Sequence, residues 1–144
     1  SVGTFASGLS ATYMYKFDNK PRPKNDDGSP ASFIDEAGSY GVPEWRGNTS
    51  LFWYYDKYSL GATVYYVDSF DQLYGAVSEV DSHTTLDLHA SYQITDAATL
   101  SLGAANVTDE EAPWSDSEAE GYSFSAAGHN PMGTMLYGRI SVRF

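Results

Sequence analysis

The chain has 144 residues, no cysteine and a formal net charge of -11, with 19 acidic against 8 basic residues. This length fits one domain, the lack of cysteine excludes a disulfide scaffold or a thiolate metal site, and the acidic balance excludes an ordinary nucleic-acid binder. Aromatic residues make up 15% of the chain, yet its mean hydropathy is -0.38 and no run of eighteen apolar residues occurs, so no transmembrane helix is predicted. The chain starts at Ser1 without an initiator methionine, and we expect a processed or cut end.

Six strands are predicted where apolar and polar residues alternate with the period of two of a half-buried strand. The fourth is the clearest, because Leu86, Leu88 and Ala90 alternate with Asp87 and His89. The composition leaves two architectures open, a soluble β-sandwich or a membrane β-barrel with one strand face in lipid. In chain order, the predicted strands cover residues 8–17, 46–55, 59–68, 84–94, 99–106 and 134–144.

The lengths of the strands and of their connections favour the membrane β-barrel. The strands have about 8–11 residues, as a tilted strand needs to cross a bilayer, whereas strands of soluble proteins have mostly about 5–6. Short turns follow the second and fourth strands, while long loops cover residues 18–45, 69–83 and 107–133. Long loops that alternate with short turns are typical of an outer-membrane barrel with extracellular loops and periplasmic turns.

The last strand, LYGRISVRF, indicates which face meets lipid. Its apolar residues, from Leu136 to Phe144, share one face, where an Arg at mid-membrane would cost about 2–4 kcal/mol. The opposite face is therefore predicted to line a wet lumen, and its polar residues include Asp87, His89, Gln93, Arg139 and Arg143. Six strands are too few for a closed barrel, whose smallest form has about eight, so this chain is predicted not to close a barrel alone.

Three runs of residues together resemble the C-terminal end of a TonB-dependent outer-membrane receptor. They are GVPEWRGNTSLFWYYDKYSLGATVYYVDSF (41–70), TLDLHASYQITDAATLSLGAANVTDEEAPW (85–114) and GHNPMGTMLYGRISVRF (128–144). The motif NVTDEEAP, from Asn106 to Pro113, is similar to the N-L-x-D-x-x-P of that family, with Val for Leu and one extra residue, whereas Thr134 replaces a common Arg. The resemblance implies an all-β, antiparallel transmembrane segment, the last six strands of a 22-stranded barrel with an N-terminal plug.

The resemblance also implies a function, the energised uptake of a scarce solute across the bacterial outer membrane. The solute class stays open between a ferric siderophore, a vitamin, an oligosaccharide and a peptide. The implied partners are the remaining barrel strands and the plug, on another chain or a missing segment of the same receptor, together with outer-membrane lipid and an inner-membrane energy-coupling complex. Neither a cofactor nor a nucleic acid is implied.

No catalytic site is predicted, because His83, His89 and His129 lack an H-E-x-x-H setting and the chain has no G-x-S-x-G. Aromatic side chains in or beside the long loops could stack on a sugar or a catecholate ring, or else pack the loops and form an interfacial girdle. The predicted ligand-binding residues of the extracellular loops are Trp45, Trp114, Tyr122, Phe124 and His129.

The acidic run Asp109, Glu110 and Glu111 offers oxygen atoms that suit Ca²⁺, but it lacks the D-x-[DN]-x-[DN]-G pattern, so no metal site is predicted. Two other functions stay open. A soluble, secreted glycan-binding β-sandwich would bury the face that carries Leu88 against a second sheet. An outer-membrane enzyme or adhesin barrel is the third possibility, although the chain offers no nucleophile constellation.

Overall fold

The structure, a computed structural model, describes residues 2–19, 24–25, 28–39, 41–72, 79–115, 124 and 129–144. Among these residues, no helix has the length and hydropathy of a membrane span. The described elements are strands, and in chain order they are β1 (Thr4–Tyr13), β2 (Asp18–Asn19), β3 (Ile34–Asp35), β4 (Trp45–Tyr55), β5 (Tyr58–Val67), β6 (Phe70–Asp71), β7 (Glu79–Val80), β8 (His83–Thr95), β9 (Ala98–Ala105) and β10 (Met135–Val142).

The six long strands form one antiparallel sheet in the order β1-β4-β5-β8-β9-β10, and two short ribbons, β2–β3 and β6–β7, lie in the connections. Each long strand therefore pairs with its nearest long neighbours in the chain. β1 and β10 are the two edges, and each has one side without a partner strand in the described residues. The predicted all-β antiparallel segment, with six strands and no closure, is confirmed.

The first strand lies earlier than predicted, since it covers Thr4–Tyr13 and not residues 8–17. Upstream residues join the ladder because Gly8, which interrupts the alternation, still pairs with Ser50. At the other end, the N–H of Met14 donates to the Glu44 carbonyl at 2.8 Å, and the next residue of the partner strand, Pro43, has no N–H to offer. The predicted loops 18–45 and 69–83 also differ, because they contain the ribbons β2–β3 and β6–β7.

The short connections lie at one end of the sheet and the long ones at the other. β4 and β5 pair up to Tyr55 and Tyr58, and β8 and β9 pair up to Thr95 and Ala98, so each turn has two residues. Asp56 adopts a positive φ of 50°, which Asp tolerates better than most residues and which tight hairpins need. We call this edge of the sheet the turn end and the opposite edge the long-loop end.

The register aligns residues of one kind in rows across the sheet. One row runs Leu51, Ala62, Leu88, Ala104 and Leu136, each paired with the next. Because directly paired residues of an antiparallel sheet share a face, this row and its neighbours form a continuous apolar face. The residues between them form the opposite face, which we call the polar face.

The apolar face has no protein covering in the described residues. Leu136 is 78% exposed and Ile140 is 70% exposed, and Leu88, in the middle of the sheet, is still 41% exposed. A β-sandwich would bury these residues against a second sheet, and none of the described residues forms such a layer. The sandwich alternative is therefore wrong for the part of the chain that the structure describes.

Aromatic side chains border the apolar face at both ends. At the long-loop end, Tyr13 stacks on Trp45 with ring centres 4.6 Å apart. At the turn end, Tyr58 and Tyr92 lie 4.9 Å apart, next to Tyr55. Trp45 and Tyr55 are the first and last of the 11 residues of β4, so about 33 Å of strand separates the two borders. A strand tilt of about 40° reduces this distance to about 25 Å, the height of a lipid-facing band.

Candidate functional site

The polar face carries a second row, whose centre is a histidine. Across β4, β5, β8, β9 and β10 the register pairs Phe52, Gly61, His89, Gly103 and Tyr137 in sequence. The Phe52 ring lies where a Cβ on Gly61 would stand, and the Tyr137 ring covers Gly103 in the same way. Glycine at both positions leaves room for these rings, because a side chain there would force the ring to shift. The result is a polar histidine between two aromatic rings.

The five polar residues predicted to face the lumen share the polar face. Asp87, His89 and Gln93 lie two and four residues apart along β8 and therefore share a face, and Arg139 pairs with Ser101, in the row next to His89. Gln93 and Arg143 line one depression at the turn end. The register thus brings residues from the middle and from the C-terminal part of the chain to one surface.

The connections at the long-loop end form a packed layer, which we call the loop layer. Within the described residues, Phe70 at 4% exposure and Val80 at 0% are the only buried hydrophobic side chains, and both belong to the ribbon β6–β7. This ribbon contacts both neighbouring loops. The N–H of Asp71 donates to the Gly38 carbonyl at 2.7 Å, and Gln72 Nε2 donates to Ser115 Oγ at 2.8 Å.

The loop that follows β1 is organised by two carboxylates. Glu36 is buried, and Asn19 Nδ2 donates to both of its oxygens at 3.2 and 3.0 Å. Asp35 Oδ1 accepts from the N–H groups of Phe17 at 2.9 Å and Ala37 at 3.1 Å. The two backbone donors hold the pKa of Asp35 below its usual value, because they stabilise the ionised carboxylate.

A cavity of about 290 Å³ lies where the loop layer meets the polar face. Its wall comes from β5, β8 and β9 on one side and from the segment before β10 on the other. His83 and His129, both 7% exposed, lie in this wall with ring centres 5.3 Å apart and planes at 80°. Phe70 stacks on His129 at 5.8 Å. The polar and sulfur-bearing residues of the wall are Tyr65, His83, Thr85, Asp87, Asn106, His129, Asn130, Met132 and Met135.

Asn106 connects the sheet to the last long loop. It is 7% exposed and adopts a φ of +47°, and its N–H donates to Asp87 Oδ1 at 2.9 Å. Its side-chain Nδ2 donates to the carbonyls of Glu110 at 2.8 Å and Met132 at 3.4 Å, while its Oδ1 accepts from the Glu110 N–H at 3.0 Å. Its carbonyl accepts from Thr134 Oγ1 at 2.8 Å. The motif that starts at Asn106 is thus a clamp that fixes both ends of the loop.

The acidic run after Asn106 forms part of this clamp. Asp109 Oδ1 accepts from the Thr134 N–H at 2.8 Å, and a Cβ on Gly133 would lie 2.5 Å from the same oxygen. No group of three or more His, Asp or Glu side chains with the spacing of metal ligands occurs among the described residues. Asp109 thus holds the loop to β10.

Among the predicted ligand-binding residues that the structure describes, Trp114 and Phe124 pair with each other, whereas Trp45 and His129 lie elsewhere. Trp45 lies on the apolar face within the aromatic border, which favours an interfacial role over ligand contact. Trp114 is 62% exposed and pairs through its backbone with Phe124, whereas His129 is buried in the cavity wall. Tyr122 lies outside the described residues. Sequence reasoning missed the contributions of His83 and Asn106 to the cavity, although Asn106 belongs to the motif that resembles the receptor family.

Residues 2–107 match the family model described as "TonB dependent receptor-like, beta-barrel". This chain belongs to the TonB-dependent receptor β-barrel family. In such barrels the apolar face meets lipid and the polar face lines the lumen. The family is one of transport receptors, and comparison with curated protein sequences gave no match.

The fold is similar to that of solved receptors. A mutant of the ferric enterobactin receptor PfeA from Pseudomonas aeruginosa superposes with a TM-score of 0.64 and 19% identity, over 97% of this chain and 20% of that chain. A second PfeA mutant, in complex with enterobactin, gives a TM-score of 0.63 and 19% identity, over 96% of this chain and 20% of that chain. The chain therefore spans about one fifth of the length of these receptors, and its unclosed sheet fits a part of a larger barrel.

Proposed function

We propose that this chain forms the C-terminal wall and three extracellular loops of a bacterial outer-membrane receptor that takes up a scarce solute with energy from the inner membrane. The observation that carries the proposal is a family match combined with a six-stranded sheet whose apolar face is not covered by any of the described residues. Bare apolar side chains are stable in lipid and unfavourable in water. The aromatic borders, about 25 Å apart in height, would then lie at the two lipid–water interfaces.

The remaining strands would complete the barrel at the edges β1 and β10. Unpaired backbone groups in lipid cost several kcal/mol each, on the order of 2–7, so these edges require partner strands. The plug would lie in the lumen against the polar face, near the row centred on His89. Pulling on the plug by the inner-membrane complex would open the path without any bond being made or broken in this chain.

The loop layer would face outward and make the first contact with the solute. Trp114 supports this role, because it is a large ring that is 62% exposed next to Phe124. A ferric siderophore is the first class to test, because the similar barrels are receptors for ferric enterobactin. The vitamin, oligosaccharide and peptide classes form the rest of the panel.

The test uses cells that produce the intact receptor, and it measures uptake of radiolabelled members of the four solute classes. We expect uptake of one class, and we expect that uptake to stop when the proton-motive force is dissipated while binding at the surface persists. Uptake that continues without the proton-motive force would contradict the energised mechanism. Trp114→Ala combined with Tyr122→Ala is expected to weaken solute binding by at least about 10-fold, since each lost aromatic stack contributes about 0.5–1.5 kcal/mol. Unchanged affinity would remove the aromatic contact from the proposal.

A further inference from the structure

The cavity below the loop layer concentrates two side-chain types that are rare in this chain. The sequence contains three His and three Met, and two of each, His83, His129, Met132 and Met135, line this one cavity. These residues come from two regions of the chain, the start of β8 and the segment that leads into β10. Imidazole nitrogen and thioether sulfur are both ligands for soft transition-metal ions.

His83 supplies the strongest indication that this cavity holds a ligand. Its side chain is more than nine-tenths buried, and its Nε2 atom has no hydrogen-bond partner among the described residues. A buried polar atom without a partner costs about 1–3 kcal/mol, so such an atom usually meets water, an ion or a ligand. Because His83 lines the cavity, a ligand bound there has access to this nitrogen.

The separation of the two rings suits a shared ion. The centres of the His83 and His129 rings are 5.3 Å apart. An imidazole nitrogen binds a transition metal at about 2.0–2.1 Å, which places the centres of two rings on one ion roughly 5–6 Å apart. The planes of the two rings stand at 80° to each other, so the rings do not stack face to face.

The methionines determine which metal ions such a site would prefer. Met135 starts β10 on the polar face, where the following residues of that face are Tyr137, Arg139 and Ser141. Met132 and Met135 are 53% and 45% exposed, so neither thioether is used to fill a core. Thioethers prefer Cu(I) over harder divalent ions, whereas imidazole accepts zinc, copper and nickel alike.

We propose that His83, His129, Met132 and Met135 form a binding site for a soft transition-metal ion, with Cu(I) as the preferred form. The proposal concerns binding alone and requires no electron transfer. It does not depend on which solute the receptor transports. No metal site was predicted from the sequence, because the chain has no cysteine, no H-E-x-x-H motif and no calcium-loop pattern, and His83 and Met132 are far apart in the chain.

The experiment uses the intact receptor, purified in detergent under reducing conditions, and a competition between the protein and the chromogenic Cu(I) chelator bicinchoninate. We expect one equivalent of Cu(I) per receptor. His83→Ala and the double variant Met132→Leu with Met135→Leu should each weaken Cu(I) binding by at least about 10-fold. The chain provides matched controls, because the remaining His and Met, His89 and Met14, lie outside this cavity wall. His89→Ala and Met14→Leu should leave the affinity unchanged.

A parallel titration with Zn²⁺ separates the two ligand types. His83→Ala should weaken Zn²⁺ binding, whereas the double methionine variant should not, because zinc favours nitrogen over thioether. The proposal is overturned by any of three results: no Cu(I) binding, equal Cu(I) binding in His83→Ala, or equal Cu(I) binding in the double methionine variant. The leucine variants keep the side-chain volume, so they remain informative if His83→Ala does not fold. Energised solute uptake is measured separately, so a failure here leaves the transport proposal standing.

Discussion

The six-stranded sheet and the loop layer bury their apolar side chains in opposite ways. In the sheet, residues such as Leu136 and Ile140 remain mostly exposed, at 78% and 70%. In the loop layer, Phe70 and Val80 are almost fully buried by protein. In the proposed barrel, lipid would supply the apolar surroundings of the sheet, whereas the loop layer would lie in water and buries its own apolar side chains. Apolar side chains are therefore exposed in the sheet and buried in the loop layer, so substitutions with similar chemistry should have different effects in the two regions.

The largest expected effect comes from a charge on the apolar face. Leu88→Arg should cost about 2–4 kcal/mol of folding free energy, because Leu88 lies near the middle of β8 and, in the proposed barrel, would lie at mid-membrane depth. His89→Arg, one residue away on the polar face, is the matched control and should cost much less. The folded fraction in lipid vesicles, read from heat-modifiable gel mobility, gives both values. Equal losses for the two variants would show that the faces are assigned wrongly.

A substitution in the clamp between the sheet and the loop layer should cause the second-largest loss of folding free energy. Asn106→Ala is expected to cost about 2–3 kcal/mol, because it removes side-chain hydrogen bonds of about 1 kcal/mol each and places a Cβ without polar compensation at a φ of +47°. Asn106→Gly keeps the backbone conformation and loses only the side-chain bonds. In denaturant unfolding of the intact receptor, Asn106→Gly should therefore have a higher free energy of unfolding than Asn106→Ala. The reverse order would exclude the backbone contribution.

Truncation inside the loop layer should have a smaller and more local effect. Val80→Ala removes two buried methyl groups, which corresponds to about 2 kcal/mol including the cavity left behind. We expect faster proteolysis of the long loops and unchanged protection of the strands in hydrogen exchange. Val64→Ala on the apolar face of β5 is the control and should leave loop proteolysis unchanged, since its side chain lies in the sheet. A loss of strand protection in Val80→Ala would mean that the two regions fold as one unit.

The smallest effect concerns pH in the loop after β1. The pKa of Asp35 is lowered by its two backbone donors, so its stabilisation is complete above the pKa of the unfolded chain, about 3.9, and is lost as pH falls through the lower pKa of the folded state. Asp35→Asn should thus increase proteolysis of this loop at neutral pH and differ less from the wild type at the acid limit. Asp81→Asn, at another exposed acid, is the control. If the difference in proteolysis between Asp35→Asn and the wild type grew as pH falls, the stabilising role of the ionised Asp35 carboxylate would be contradicted.

The sheet was predictable from the sequence because alternation along a strand is a local signal. Leu86, Leu88 and Ala90 alternate with Asp87 and His89, and this pattern alone assigns both faces. The start of β1 was less predictable, since Gly8 breaks the alternation and only pairing with Ser50 shows that the strand continues. Local patterns therefore predict strands and faces better than strand ends.

The candidate site was largely beyond prediction, because its parts are distant in the chain. His83 and His129 meet only after the loops pack, and no periodic signal links them. Trp45 was predicted as a ligand contact from its place beside a loop, yet its pairing with Tyr13 puts it at the border of the apolar face. Loop residues contact one another through tertiary structure, so their neighbours cannot be read from spacing.

The ribbon β6–β7 has a consequence for how such a receptor can vary. It supplies both buried hydrophobic side chains of the described loop layer and reaches each neighbouring loop, through Gly38 on one side and Ser115 on the other. We therefore expect the loop after β1 and the loop after β9 to accept insertions or new recognition residues while the ribbon still anchors them. A graft of a foreign epitope or binding sequence would accordingly be best tolerated in those two loops and worst tolerated in the ribbon.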